Sequence, residues 1–305
     1  VPLCLKILAQ TVRYGRSRRE LTDIASTLKE LASRLRTHSE TPELDAQLLL
    51  ARTLNRPRSW LAAHPEARLD PEPAAALEAF ARRLEGGEPL PYILGKWEFY
   101  SLSFEVTPDV LIPRPETELL VERAIAWARR SNVAGQAFHV ADVGTGSGCI
   151  AVSLAVNVPE IQVTATDISA AALTVAQRNA EKHGVAGRIT FLKADLFPDP
   201  LSPSPFSLIT ANLPYIPTSV LHRLPIFGRE PTLALDGGED GLALIRRLLE
   251  KAPRLLAPGG LLLLEIEASQ GAAALSLARG AFEKAEIHLH QDLSGRDRLL
   301  EVRLT

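Results

Sequence analysis

Leu21, Ile24, Leu28, Leu31 and Leu35 recur every three or four residues, which lays one apolar stripe along a helix. A second helix is predicted to open at Thr41-Pro42-Glu43, with Thr41 as cap and Pro42 at the first helical position, and to bury Leu48, Leu49 and Leu50. Asp70-Pro71 opens a third, which Gly86-Gly87 closes. Residues 21–85 therefore read as a small helical domain. Between Gly86 and Pro115, prolines and glycines punctuate the chain, and Tyr92, Ile93, Leu94, Trp97, Phe99, Phe104 and Val106 predict short strands in a β-hairpin linker. From Glu116 to the end, apolar strands alternate with helical stretches. Strands are predicted over 137–143, 161–166, 188–192, 206–211 and 260–266, and helices over 149–157, 170–183 and 242–257. This alternation predicts an α/β domain, a doubly wound and mostly parallel sheet with helices on both faces.

Composition narrows the class. Of 305 residues, 46% are hydrophobic and 23% charged, which excludes a disordered chain or a fibre. No apolar run approaches the roughly 18 residues of a membrane helix. Cys4 and Cys149 are too few for a disulfide framework or a zinc site, so no metal is expected and a reducing compartment fits. The net charge of −2 is uneven: residues 1–20 carry five basic side chains against Glu20, and the rest of the chain is acidic. That basic stretch is a leader of the organelle type or an upstream extension. The chain has no methionine and begins at Val1, so a start further upstream is expected.

Chemistry concentrates where strands end. Asp142-Val143 leads into Gly144-Thr145-Gly146-Ser147-Gly148, between a strand and a helix, where doubly wound sheets bind ligands. Glycines let backbone approach a ligand closely, and the helix start offers free N–H groups. A dinucleotide fingerprint needs its third glycine where Cys149 stands, so a nicotinamide cofactor fits poorly. Asp167 ends the next strand, about twenty residues on, where a carboxylate can accept from ribose hydroxyls. It could equally cap the helix that starts near Ser169. Asp195, Leu196 and Phe197 close a further strand and could flank an adenine, or form an ordinary loop.

After the strand 206–211 stands Asn212-Leu213-Pro214-Tyr215. Asn212 offers a side-chain carbonyl, and Leu213 a backbone carbonyl restricted by the proline that follows. Two such acceptors suit one planar NH2 group, and Tyr215 can stack on it or face a sulfonium cation. The histidines have no comparable context, and no general base is evident.

The glycine loop, Asp167 and the tetrapeptide together resemble the class I S-adenosylmethionine-dependent methyltransferases of amino groups, a Rossmann-like fold. Further stretches extend the resemblance to the HemK-type glutamine methyltransferases that modify peptide chain release factors. They are 92–95, Leu111 to Glu118 with its Arg114-Pro115-Glu116-Thr117-Glu118, Glu230-Pro231, 237–242 and 292–298, so the likeness covers about 21–303. It implies methyl transfer from S-adenosylmethionine to the amide nitrogen of a glutamine in a Gly-Gly-Gln loop. Gly144 to Gly148, Asp167, Asp195, Leu196 and Asn212 would hold the cofactor, and Asn212 to Tyr215 the substrate, with Asn212 and Tyr215 catalytic. The helical domain would recognise the release factor, and residues 116–305 would form the catalytic domain. Leu213 replaces the family's usual proline, and Glu267 a common glycine. A nucleic-acid or ribosomal-protein acceptor, or a scaffold without turnover, are the rival readings. Against nucleic acid, residues 21–95 hold nine basic and eleven acidic side chains. A cytoplasmic monomer without membrane attachment is expected.

Overall fold

The computed structural model of the chain describes residues 22–131, 138–197 and 205–305; the basic stretch 1–20, Leu21 and Ala137 lie outside them. Contacts cluster into two units that divide between Gly86 and Gly87. In the first, α1 (Ile24–Leu35), α2 (Pro42–Leu54), α3 (Arg58–Ala63) and α4 (Pro71–Glu85) follow one another. The predicted stripe turns Ile24, Leu31 and Leu35 inward, and α2 contributes Ala46, Leu49 and Leu50, with Leu48 half-buried. Thr41 stands at the start of α2 without a side-chain cap bond, and its hydroxyl donates to Asp45 Oδ1 at 3.1 Å. Arg34 joins α1 to α4 through Glu78 and Glu85 at 2.7 and 2.9 Å.

The second unit opens with α5 (Leu90–Leu94), where strands were expected at Tyr92 to Leu94. Pro91 suits the first turn of a helix, and Gly95 ends it at φ 70°. The hairpin follows as β1 (Lys96–Phe99) and β2 (Leu102–Glu105). Its two turn residues, Tyr100 and Ser101, both have positive φ, as a two-residue turn of the I′ kind needs. A 3₁₀ turn, Pro115–Thr117, leads into α6 (Glu118–Ser131).

The central sheet then assembles from β3 (Phe138–Val143), α7 (Cys149–Asn157), β4 (Ile161–Asp167), α8 (Ala170–Lys182), β5 (Ile189–Lys193) and β6 (Phe206–Ala211). After α9 (Thr218–Leu221) and α10 (Ala243–Lys251) come β7 (Leu256–Glu265), α11 (Gly271–Ala281), β8 (Ala285–Gln291) and β9 (Asp297–Leu304). The predicted 242–257 helix stops earlier because Pro253 sits in a 3₁₀ turn, and β7 starts before Gly260. Among the described residues the order is β5-β4-β3-β6-β7-β9-β8, parallel except at β9. The chain runs outward from β3 through β4 to β5, then crosses back to lay β6 on the other side of β3. That reversal makes a switch point between β3 and β6, where open sheets bind ligands.

Strand periodicity builds the two cores. Leu261 and Leu263 face one side of β7, with Val140, Leu208, Leu120 and Leu154, while Leu262 and Leu264 face the other, with Ile209, Ile245, Leu248 and Ala274. Asn179, fully buried on α8, ties the hairpin to the loop after β3. Its Nδ2 donates to Glu105 O and Ser147 O at 3.0 and 2.9 Å, and its Oδ1 accepts from Glu105 N at 2.7 Å. Replacing it by leucine leaves these buried backbone groups unpaired. Asn179→Leu is expected to lower the unfolding free energy by roughly 2–4 kcal/mol, read by urea denaturation. A loss below about 0.5 kcal/mol would show that the clasp adds nothing to stability.

Candidate active site

The loop after β3 is shaped by three glycines with positive φ, Gly144, Gly146 and Gly148. At Gly144 an added Cβ would come within 3.0 Å of the Leu213 side chain, so the loop presses directly on the tetrapeptide. At Gly148 it would meet Ala176 of α8 at the same distance. Gly144 N and Thr145 N both donate to Thr166 O at 2.9 Å, and Gly148 N donates to Thr145 O at 2.8 Å, which closes the turn on itself. Beneath the loop, Asp142 is fully buried and accepts from Thr145 Oγ1 at 2.6 Å and Thr210 Oγ1 at 2.9 Å. Burial pushes its carboxyl up to about 6, against the pull of these two hydroxyls.

Asp167 ends β4, and its Oδ2 accepts from Gly146 N at 2.9 Å while its Oδ1 accepts from Ser169 N at 2.8 Å. Ser169, and not Asp167, caps α8, accepting from Ala172 N. Burial raises the Asp167 carboxyl above its ordinary range. Each oxygen keeps acceptor capacity for a further donor. Asp195 pairs with Arg247 at 2.8 Å, both half-exposed at the rim. Leu196 is buried with φ 68°, a left-handed backbone held by the 2.6 Å bond from Thr166 Oγ1 to its carbonyl.

β6 delivers the tetrapeptide next to the loop, since Val143 pairs with Ala211. Asn212 Nδ2 donates to Thr117 Oγ1 at 3.0 Å. Thr117 in turn donates to Glu265 Oε2 at 2.6 Å, and Tyr215 Oη lies 3.5 Å from Glu265 Oε1. Burial pushes the Glu265 carboxyl up to about 7, although Thr117 and Arg298 pull the other way. The Tyr215 phenol is raised by burial and by the nearby Glu265 charge, and so stays neutral. Leu213 is buried in the core with Val143 and Ala211.

The backbone of Tyr215 is fixed from behind. Gln270 Nε2 donates to Tyr215 O at 2.9 Å, and an added Cβ on Gly241 would collide with that carbonyl. Glu267 holds Gln270 in place: its carboxylate accepts from Ser269 N at 2.7 Å, and its own N–H donates to Gln270 Oε1 at 3.2 Å. With φ −75° it needs no glycine, so the departure at this position is accommodated.

A cavity of about 380 Å³ spans this edge, lined by Gly144 to Ser147, Asp167, Asp195, Leu196 and Asn212 to Pro214. Its size suits a small-molecule ligand. Tyr215 lies instead on an adjoining cavity of about 140 Å³, with Ile216, Ile226 and Leu235. The two share Leu111, Arg114, Asn212, Leu213, Pro214 and Ala234. Arg114 is held there by buried Glu230 at 2.5 Å, which also accepts from Ile112 N at 3.0 Å. No histidine lines either cavity, and among the described residues no cluster of potential ligands could hold a metal ion. Thr117, Glu230 and Glu265 were not identified as site residues from the sequence. Glu265 had a signal: a lone acid closing the leucine run 261–264.

Comparisons with known proteins cover most of the chain. Residues 26–95 match the model of the PrmC N-terminal domain, and residues 140–224 match a methyltransferase domain. The release factor glutamine methyltransferase of Moorella thermoacetica is 48% identical over 85% of this chain and 90% of its own. That of Coxiella burnetii is 39% identical over 93% and 99%. Among solved structures, the hMettl16 catalytic domain in complex with the MAT2A 3′UTR hairpin 6 aligns with a TM-score of 0.51 and 16% identity. It covers 77% of this chain and 82% of its own, a likeness of fold. Identity of 39–48% sustained over 85–93% of the chain reflects shared descent, and the protein belongs to the release factor glutamine methyltransferase family.

Proposed function

We propose that this protein transfers the methyl group of S-adenosylmethionine to the side-chain amide nitrogen of a glutamine in a peptide chain release factor, at its Gly-Gly-Gln loop. The observation that carries the reading is the setting of Asn212. Its NH2 donates to Thr117, so its carbonyl oxygen is the end left to accept, and Asn212 lines one cavity with Thr117, the glycine loop and Asp167. The cofactor fits this edge: Gly144 and Gly146, both at positive φ, line the cavity with backbone alone, and Asp167 retains free acceptor capacity. Gly144 to Ser147 would support its methionine part, with Gly148 closing the loop against α8, Asp167 would hold the ribose, and Leu196 with the Asp195 rim the adenine. When bound it supplies a methyl group already activated by its sulfonium.

An amide nitrogen is a poor nucleophile because its lone pair is delocalised. The protein's contribution is alignment, worth ~7–11 kcal/mol at best. The carbonyls of Asn212 and Leu213 would accept both amide protons of the glutamine, aim the nitrogen and favour the positive charge that develops on it. Once the N–CH3 bond has formed and the S–CH3 bond has broken, one of the two nitrogen protons leaves to solvent and a neutral secondary amide remains. Neutral Tyr215 would close the smaller cavity against the acceptor. One chain supplies every one of these residues, so a monomer suffices, and the reading places the reaction in the cytoplasm with a protein and not a nucleic acid as acceptor. Among the described residues no helix is long and apolar enough to cross a membrane. Intact mass spectrometry of release factors incubated with enzyme and S-adenosylmethionine tests the assignment. One added methyl group on the Gly-Gly-Gln glutamine is expected, and transfer to RNA or DNA with none to release factor would refute it.

Asp167→Ala is expected to weaken S-adenosylmethionine binding by roughly 1.5–3 kcal/mol, the range for hydrogen bonds to a charged group. Calorimetry reads this directly, and unchanged affinity would remove Asp167 from the cofactor site. Asn212→Ala should cost about 10²–10³ in turnover, as for loss of one preorganised partner. Leu213→Pro keeps the backbone carbonyl and should hold turnover within about tenfold. Because the Leu213 side chain also packs in the core against Gly144, that variant should lose roughly 1–2 kcal/mol of stability. Equal loss of turnover in both variants, with cofactor binding intact, would contradict the paired-carbonyl arrangement.

A further inference from the structure

A carboxylate, a hydroxyl and an amide stand in line behind the acceptor side of the site. Glu265 and Thr117 are 1% and 2% exposed, and Glu265 Oε2, Thr117 Oγ1 and Asn212 Nδ2 follow at 2.6 and 3.0 Å. An ionised carboxylate only accepts, and a threonine hydroxyl has a single proton. Once that proton is given to Glu265, the hydroxyl oxygen can only accept from Asn212. The amide must then turn its NH2 towards Thr117 and its carbonyl towards the cavity. From this geometry we infer that Glu265 is a positioning residue for methyl transfer, acting through Thr117 to select which end of the Asn212 amide meets the substrate. The role rests on the function proposed above.

Protonated Glu265 removes the selection. It can donate to Thr117, which then donates to Asn212 Oδ1, and the amide turns its NH2 towards the substrate NH2, donor against donor. The groups around the carboxyl set where this happens. Burial, Glu116 and the neutral Tyr215 and Cys149 surround it, and Arg298 on β9 is the cation that favours its charge. With the carboxyl held up to about 7, the active orientation is held above neutrality and lost as pH falls through that value.

Two measurements test this. In enzyme alone with 15N-labelled asparagine, the Asn212 NH2 resonance, assigned by its loss in Asn212→Ala, should show a nuclear Overhauser contact to the Thr117 methyl group at about pH 8. It should fade towards about pH 5.5 as the carboxyl protonates. In Glu265→Gln, whose amide can both accept from and donate to Thr117, it should be equal at both values and weaker than in the parent at about pH 8. In turnover, Glu265→Gln should lower kcat at least about tenfold, with KM for S-adenosylmethionine within about threefold. The acidic fall in kcat should persist in Thr117→Ser, which keeps the hydroxyl, and disappear in Thr117→Val, whose kcat is low throughout. Adding Glu265→Gln to Thr117→Val should cost nothing more. An acidic fall in kcat or in the amide contact that persists in Glu265→Gln as in the parent would overturn the inference, as would parental kcat in Thr117→Val. The resonance measurement needs no acceptor, so failure to methylate any release factor would refute the proposed function while leaving the role of Glu265 decided separately.

Discussion

Parallel pairing of β3 with β6 brings Val143 opposite Ala211, and the site hangs from that register. Each strand hands its next residue to the same edge, Gly144 from one and Asn212 from the other. A slip of one residue would invert every side chain of β6 between the two cores. It would bury Asn212 where Leu213 now packs, and lift Leu213 off Gly144. Register is therefore held by packing on both faces of the sheet, and the chemistry inherits its precision from leucines and valines that touch no ligand.

The same edge carries two buried acids, Asp142 under the glycine loop and Glu265 under the tetrapeptide. Both have their carboxyls raised by burial, so each makes the folded state bind protons more readily than the unfolded chain. Their contribution to stability is fully present below the ordinary carboxylate range and declines as pH rises through about 6 and 7. Their hydroxyl partners, Thr145 and Thr210 for one and Thr117 for the other, limit that penalty. Such groups are retained where they orient neighbours more than where they stabilise the fold.

Much of the parallel sheet was legible because its signals are local. Apolar runs of strand length, bounded by glycine and proline, gave β3, β4 and β6, and the glycine loop and tetrapeptide stand at their ends. What escaped depends on contacts distant in sequence or on backbone that overrides composition. Tyr92 to Leu94 looks like a strand by residue type, yet Pro91 and Gly95 frame a helical turn. Tyr100 and Ser101 form a left-handed hairpin turn without the asparagine or glycine that would mark it. Asn179 is an ordinary polar residue until the fold brings it to Glu105. Thr117 and Glu230, although they stand in stretches that carry the family likeness, gain a role only where the fold brings them to Glu265 and Arg114. The antiparallel β8 does alternate, Ala285, Ile287 and Leu289 against Glu286, His288 and His290, and is a strand missed despite its signal. By contrast, β9 buries four successive residues from Leu299 to Val302 and shows no alternation.

The clamp behind Tyr215 has a consequence for protein engineering. Gly241 and Gln270 reach its carbonyl from 26 and 55 residues downstream, and Glu267 steadies Gln270. The four residues of the turn are thus not a portable cassette. Transplanted alone into another scaffold, they would bring their functional groups without the distant braces that give those groups direction. A working graft would need the whole return path from Ile216 to Gln270, and therefore the sheet edge on which it rests.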